Sequence, residues 1–153
     1  MTRHVLAVVF LATLAAPPSF AAEPSPIDAL LGKFPHGIPW RVEVLDMAGK
    51  SLGALEMRIT SEHAKSCLGG FSESAVRVEF TRKDQLSSSL SVTSYGVADL
   101  IDGRIKIDLS GGTCDAYLLM NGPLAADGSS TGEVYTFGMR GGHDVGTYRA
   151  VIK

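Results

Sequence analysis

From Trp40 to the C-terminus the apolar residues recur at every second position, and no segment there keeps the three-and-four spacing of a helix. Trp40, Val42 and Val44 alternate with Arg41 and Glu43, and Leu55, Met57 and Ile59 with Glu56 and Arg58. Val76, Val78 and Phe80 alternate with Arg77 and Glu79. The pattern returns at Ile105, Ile107 and Leu109, at Tyr135, Phe137 and Met139, and at Tyr148, Ala150 and Ile152. Successive side chains on a strand point to opposite faces, so each run has one dry and one wet face and must join a sheet. Two weaker strands fit at 89–95 and 116–124.

Hairpin turn chemistry separates these runs at Met47–Lys50, Arg82–Asp84, Asp102-Gly103, Asp127–Ser130 and Gly141–Asp144. The expected fold is all-β, an antiparallel meander of eight or nine strands. Closing it into a small barrel removes the exposed edges, and a two-sheet sandwich is the alternative. The expected interior comprises Val42, Val44, Leu55, Met57, Ile59, Val78, Phe80, Ile105, Ile107, Tyr135, Phe137 and Tyr148.

Ahead of the strands, Ser25-Pro26-Ile27-Asp28 offers a cap residue, a proline at the first helical position and a carboxylate three residues after the cap. A short helix from Pro26 to about Lys33 is expected, ended by Pro35, Gly37 and Pro39.

Thr2-Arg3-His4, the apolar run Val5 to Ala16 and Ser19-Phe20-Ala21 have the order of a cleavable secretory signal. Residues 1–21 are therefore expected to be removed, leaving one β domain over 22–153. The apolar run falls short of the roughly 20 residues that span a bilayer, and Pro17-Pro18 ends it, so no membrane anchor is expected. The expected address is periplasmic or secreted, and bacterial, since the signal is short and 22–153 lacks an N-x-S/T acceptor.

Exported chains mature where disulfides persist, and the two cysteines, Cys67 and Cys114, make one structural bridge the economical reading. The net charge of −2 is spread along the chain. Nucleic-acid binding needs clustered cations to replace phosphate counterions, so neither nucleic acid nor an anionic membrane is an expected partner.

A short helix leading into Gly37-Ile38-Pro39-Trp40, with Arg149 in the last strand, resembles the calycin group of lipocalin-like and avidin-like up-and-down barrels. In those, a Gly and a Trp open the first strand and a late basic residue stacks on the Trp. Two residues separate Gly37 from Trp40, where the lipocalin motif has one. The resemblance implies a barrel with Arg149 against Trp40, whereas strict alternation sets Arg149 on the face opposite Tyr148.

Gly128-Ser129-Ser130-Thr131-Gly132 matches G-x-S-x-G, but a nucleophile elbow needs a strand before it and a helix after it, and this stretch reads as a polar turn. His36, His63 and His143 with Cys67 and Cys114 lack zinc-ligand spacing, and oxidation removes both thiolates. No metal or cofactor is expected. Glu62, Glu73, Asp99, Asp115 and Asp144 are the carboxylates available to a hydrolase, and nothing in the sequence pairs them.

The longest stretch without a period, Ser61 to Ser74, holds Cys67-Leu68-Gly69-Gly70-Phe71. Phe71 is either an exposed anchor for a partner or, with Leu68, a cap over one barrel end. His143 and Asp144 stand on a glycine-rich segment that reads as a turn or as a projecting tip.

The leading expectation is a non-catalytic binding protein of inhibitor or immunity type, engaging an extracytoplasmic protein through Phe71, His143 and Asp144. The alternative is a carrier of a small apolar ligand lined by Trp40, Val42, Met57, Phe80, Ile107, Tyr135, Phe137 and Tyr148. An enzyme without a recognisable motif comes third.

Overall fold

The alternating runs become eight strands, β1 (Trp40–Asp46), β2 (Ser51–His63), β3 (Val76–Leu86), β4 (Tyr95–Ile101), β5 (Arg104–Asp108), β6 (Ala116–Pro123), β7 (Ser130–Gly138) and β8 (Gly141–Ile152). This computed structural model describes residues 39–90 and 92–153, so the expected signal segment, the helix Pro26–Lys33, the glycine of the calycin-like motif and His36 lie outside the described residues. Each strand pairs antiparallel with the next, and β1 pairs with β8 from Trp40↔Ile152 to Asp46↔Gly146. The sheet is thus a closed antiparallel up-and-down barrel rather than a sandwich, consistent at the level of fold with a calycin-like barrel, with one further bridge between Leu124 and Ser130.

Up-and-down order sorts the connections between two ends. The β1–β2, β3–β4, β5–β6 and β7–β8 links share one end, called the upper end below. The β2–β3, β4–β5 and β6–β7 links share the lower end with Trp40 and Ile152. Asp102 and Gly103 have φ of 50° and 72°, the two left-handed residues that a two-residue hairpin turn between β4 and β5 requires.

Inward side chains from all eight strands form one packed cluster that includes Trp40, Val42, Met57, Ile107, Met120 and Tyr148. Burying each such side chain contributes about 1.5–3 kcal/mol. Near the lower end the Tyr148 hydroxyl is satisfied by Ser130 Oγ at 2.7 Å, both groups being buried. Burial pushes the Tyr148 phenol above its ordinary pKa, against the Ser130 hydrogen bond and the Arg104 charge.

Several expectations are corrected. The fourth strand is Tyr95–Ile101, not 89–95. Its sequence, YGVADLI, does not alternate because both faces are covered: Gly96 and Ala98 line the barrel, while outward Val97 and Asp99 are also buried. Arg82–Asp84 is not a turn but continues β3, which beyond Glu79 pairs with β2 and no longer with β4. Gly141–Asp144 is not a turn either. It opens β8, opposite Tyr135 to Gly138, and the turn is Met139-Arg140.

Tyr135 and Phe137 face outward, opposite outward Leu119 and Tyr117, while Val134 and Thr136 face inward opposite Met120 and Leu118. Counting one residue off reverses every face, and here the large residues lie on the wet side. Arg149 is exposed and pairs across to Glu43 and Thr131, whereas Trp40 lies opposite Ile152 and Met57. The Trp–Arg stack implied by the calycin resemblance does not form.

Candidate functional site

Two constructions stand out on this barrel, a strap on its wall and a cleft at its upper end. The strap is the β2–β3 connection, closed at its base by the Ala64 amide donating to the Ala75 carbonyl at 2.9 Å. It leaves the lower end and folds back along the outside of β4, β5 and β6. Cys67 reaches Cys114 in the β5–β6 connection at the opposite end, and the two form a disulfide with their Cα atoms 5.0 Å apart.

Polar contacts hold the rest of the strap. Ser66 Oγ donates to Asp108 Oδ2 at 2.6 Å, and Ser72 Oγ donates to Asp99 Oδ1 at 3.1 Å. Lys106 Nζ donates to the Gly69 and Gly70 carbonyls at 3.3 and 3.2 Å and lies 4.5 Å from the centre of the Phe71 ring. Beneath it Val97, Asp99, Asp108 and Leu119 point outward and are nonetheless buried.

Burial pushes the Asp108 carboxyl up, against the Ser66 and Ser110 hydrogen bonds and the Lys106 charge that favour ionisation. Burial likewise lowers the Lys106 ammonium, against Asp99 and Asp108. Oxygens of both carboxylates are occupied by strap and backbone donors, so this cluster serves to hold the strap. Phe71 is half-buried, with its ring over Lys106.

The cleft opens at the upper end and has a volume of about 550 Å³. Leu90 from the β3–β4 link and Leu118 from β6 are buried core residues that reach it from the barrel side, with Ser110 and Thr136 beside them. Tyr117 and Phe137 stand opposite each other on β6 and β7, with ring centroids 6.4 Å apart. The Tyr117 hydroxyl donates to the Cys114 carbonyl, so the disulfide also braces this side of the cleft. Met139, Arg140 and His143 line the side formed by the β7–β8 hairpin. Phe137 is 48% exposed and Met139 88% exposed.

Of the expected partner-binding residues, His143 is in this cleft, 3.5 Å by Nδ1 from Thr136 Oγ1. Asp144 is exposed on the outer face of β8, opposite Tyr135. Phe71 is on the strap beside Lys106, away from the cleft, so the structure does not bring it together with His143. Among the expected ligand-lining residues, Trp40, Val42, Met57, Ile107 and Tyr148 are consumed in the packed core, with Phe80 partly buried against it.

The central serine of the G-x-S-x-G match, Ser130, is not in a turn. It begins β7, is buried, and is bonded to Tyr148. Glu62 faces solvent 3.9 Å from Arg77 Nε, Glu73 is exposed on the strap, and Asp115 lines the cleft. Among the described residues no group of three His, Cys, Asp or Glu side chains is placed to hold a metal ion.

The lining residues Leu90, Ser110, Leu118 and Thr136 were absent from the expected site, because each comes from a different part of the chain. The one local signal for it was the large apolar series Tyr135, Phe137 and Met139. No protein-family model, curated protein or solved structure matches this chain.

Proposed function

We propose that this is an exported, non-catalytic binding protein of inhibitor or immunity type, which engages another extracytoplasmic protein through the upper end of its barrel. One observation carries this reading: Met139 and Phe137 stand out into solvent beside an open cleft, on a barrel whose interior is occupied by its own core. Hot spots of protein interfaces are large side chains set beside pockets. The Cys67–Cys114 bridge supports the export part of the reading, because structural disulfides persist in oxidising compartments.

The test is a photo-crosslinking residue placed at Met139, with Asp127 in the lower-end β6–β7 link as the control position. The expected result is a discrete adduct from position 139 and none from 127. No adduct at 139, or the same adducts from both positions, would overturn the proposal.

The cleft volume supports a second reading, a carrier of a small apolar ligand, since ligand pockets span roughly 300–1,000 Å³. It ranks below the first because such pockets enclose most of the ligand, and this cleft is open. Native mass spectrometry showing a retained small molecule, lost in Phe137→Asp, would reverse the order.

A further inference from the structure

The exposed side chains and the cleft belong to one hairpin end. Met139 lies at the rim of a cleft that it does not fill, being 88% exposed at the tip of a two-residue turn. Gly141 and Gly142 follow it on the same rim, and a Cβ at Gly141 would meet nothing within 4 Å, so the rim beside Met139 is low and open to approach. The cleft lining also includes one anion, Asp115, and one cation, Arg140. Both are exposed, and neither joins an ion pair among the described residues.

A patch with a knob beside a hole and a cation beside an anion is its own complement. An isologous interface requires this, because a two-fold axis makes residue i meet j while j meets i. A partner of one charge sign would leave either Asp115 or Arg140 opposed by like charge. A second copy opposes both correctly.

We propose that the occupant of this cleft is a second copy of the chain, related by a two-fold axis, with Met139 of each copy seated in the other's cleft and Arg140 of each against Asp115 of the other. The inference rests on the upper end being a protein-docking surface and places a second copy there when the other protein is absent. Such a dimer covers Phe137 and Met139, and any other partner must displace the second copy.

Sedimentation equilibrium on the purified protein, with its disulfide intact, is the direct test, combined with the photo-crosslinker at position 139. The expected result is a concentration-dependent dimer and a crosslinked product of twice the chain mass. Met139→Asp is expected to raise the dissociation constant by roughly tenfold or more, as loss of a central interface side chain does. Arg140→Glu and Asp115→Arg each weaken the dimer, and the double variant restores it. All three positions are exposed, and an unchanged thermal melt verifies folding.

A dimer indifferent to Met139→Asp would overturn the proposed surface. A monomer at every concentration, crosslinking at 139 to a protein of different mass, would retire the second copy and leave the docking function standing. A monomer that yields no adduct would retire both.

Discussion

Ser66 Oγ donates a 2.6 Å hydrogen bond to Asp108, a residue with no solvent exposure whose side chain points outward from β5. An outward side chain on a barrel strand is ordinarily wet. Here the strap buries it, and with it the apolar neighbours Val97 and Leu119.

That burial makes stability depend on pH. The Asp108 pKa is raised in the folded protein, so the folded state holds its proton to higher pH than the unfolded chain does. Stability therefore falls as pH rises from the ordinary aspartate value through the raised one. Asp108→Asn retains an acceptor for the Ser110 amide and abolishes the ionisation. Its melting temperature relative to wild type is expected to be equal or higher at neutral pH and to lose that advantage in acid. Melting curves across pH 3–8 check this, and a constant offset would contradict it.

Removing the donor has the opposite effect. Ser66→Ala leaves the buried carboxylate without its strap partner and is expected to cost roughly 1.5–3 kcal/mol at neutral pH, the range for hydrogen bonds to charged groups. Denaturant titration measures it, and the loss should shrink as Asp108 is protonated.

Reduction of Cys67–Cys114, which are separated by 47 residues in sequence, releases the strap from the upper end. The chain-entropy model gives about 4 kcal/mol for a loop of this length. The Ser72 amide, bonded to Asp99, should then exchange hydrogen much faster, while the amides of the β1–β8 pairing stay protected. Equal acceleration in both places would mean that the strap is not a separate unit.

Gly146 has φ of 152°, and a Cβ there would lie 2.0 Å from the Leu45 carbonyl oxygen. It sits where the β7–β8 register shifts between Val134 and Tyr135. Gly146→Ala is expected to cost more than about 3 kcal/mol, because relief of the contact requires opening the β1–β8 seam that closes the barrel. Chemical denaturation measures this directly.

Met57 and Met139 separate packing from surface. Met57 has no exposure and Met139 is 88% exposed. Met57→Ala should cost about 2–5 kcal/mol, whereas Met139→Ser should change stability by no more than about 0.5 kcal/mol. Thermal melts of both variants distinguish the two roles.

Much of the fold was legible in the sequence. The runs at Trp40–Val44, Leu55–Ile59, Val76–Phe80 and Ile105–Leu109 each mark a wall with one dry face, and Asp102-Gly103 marks its hairpin by needing left-handed dihedrals. β4 was misplaced because the strap dries its outer face and erases the alternation. The cleft was hidden because Leu90, Ser110, Leu118 and Thr136 meet only when the barrel closes.

The sequence by itself determined the strand period, the meander and the cysteine pair, since these follow from local sterics, from short-range turn chemistry and from there being two cysteines. Only the tertiary structure decided which face of β7 is the wet one, where the strap lies and that Phe137 and Met139 flank a cleft. Period two divides a strand into two faces without saying which of them a neighbouring segment will cover. That choice is made by register around the closed sheet and by a strap pinned across it, both of which join residues far apart in the chain.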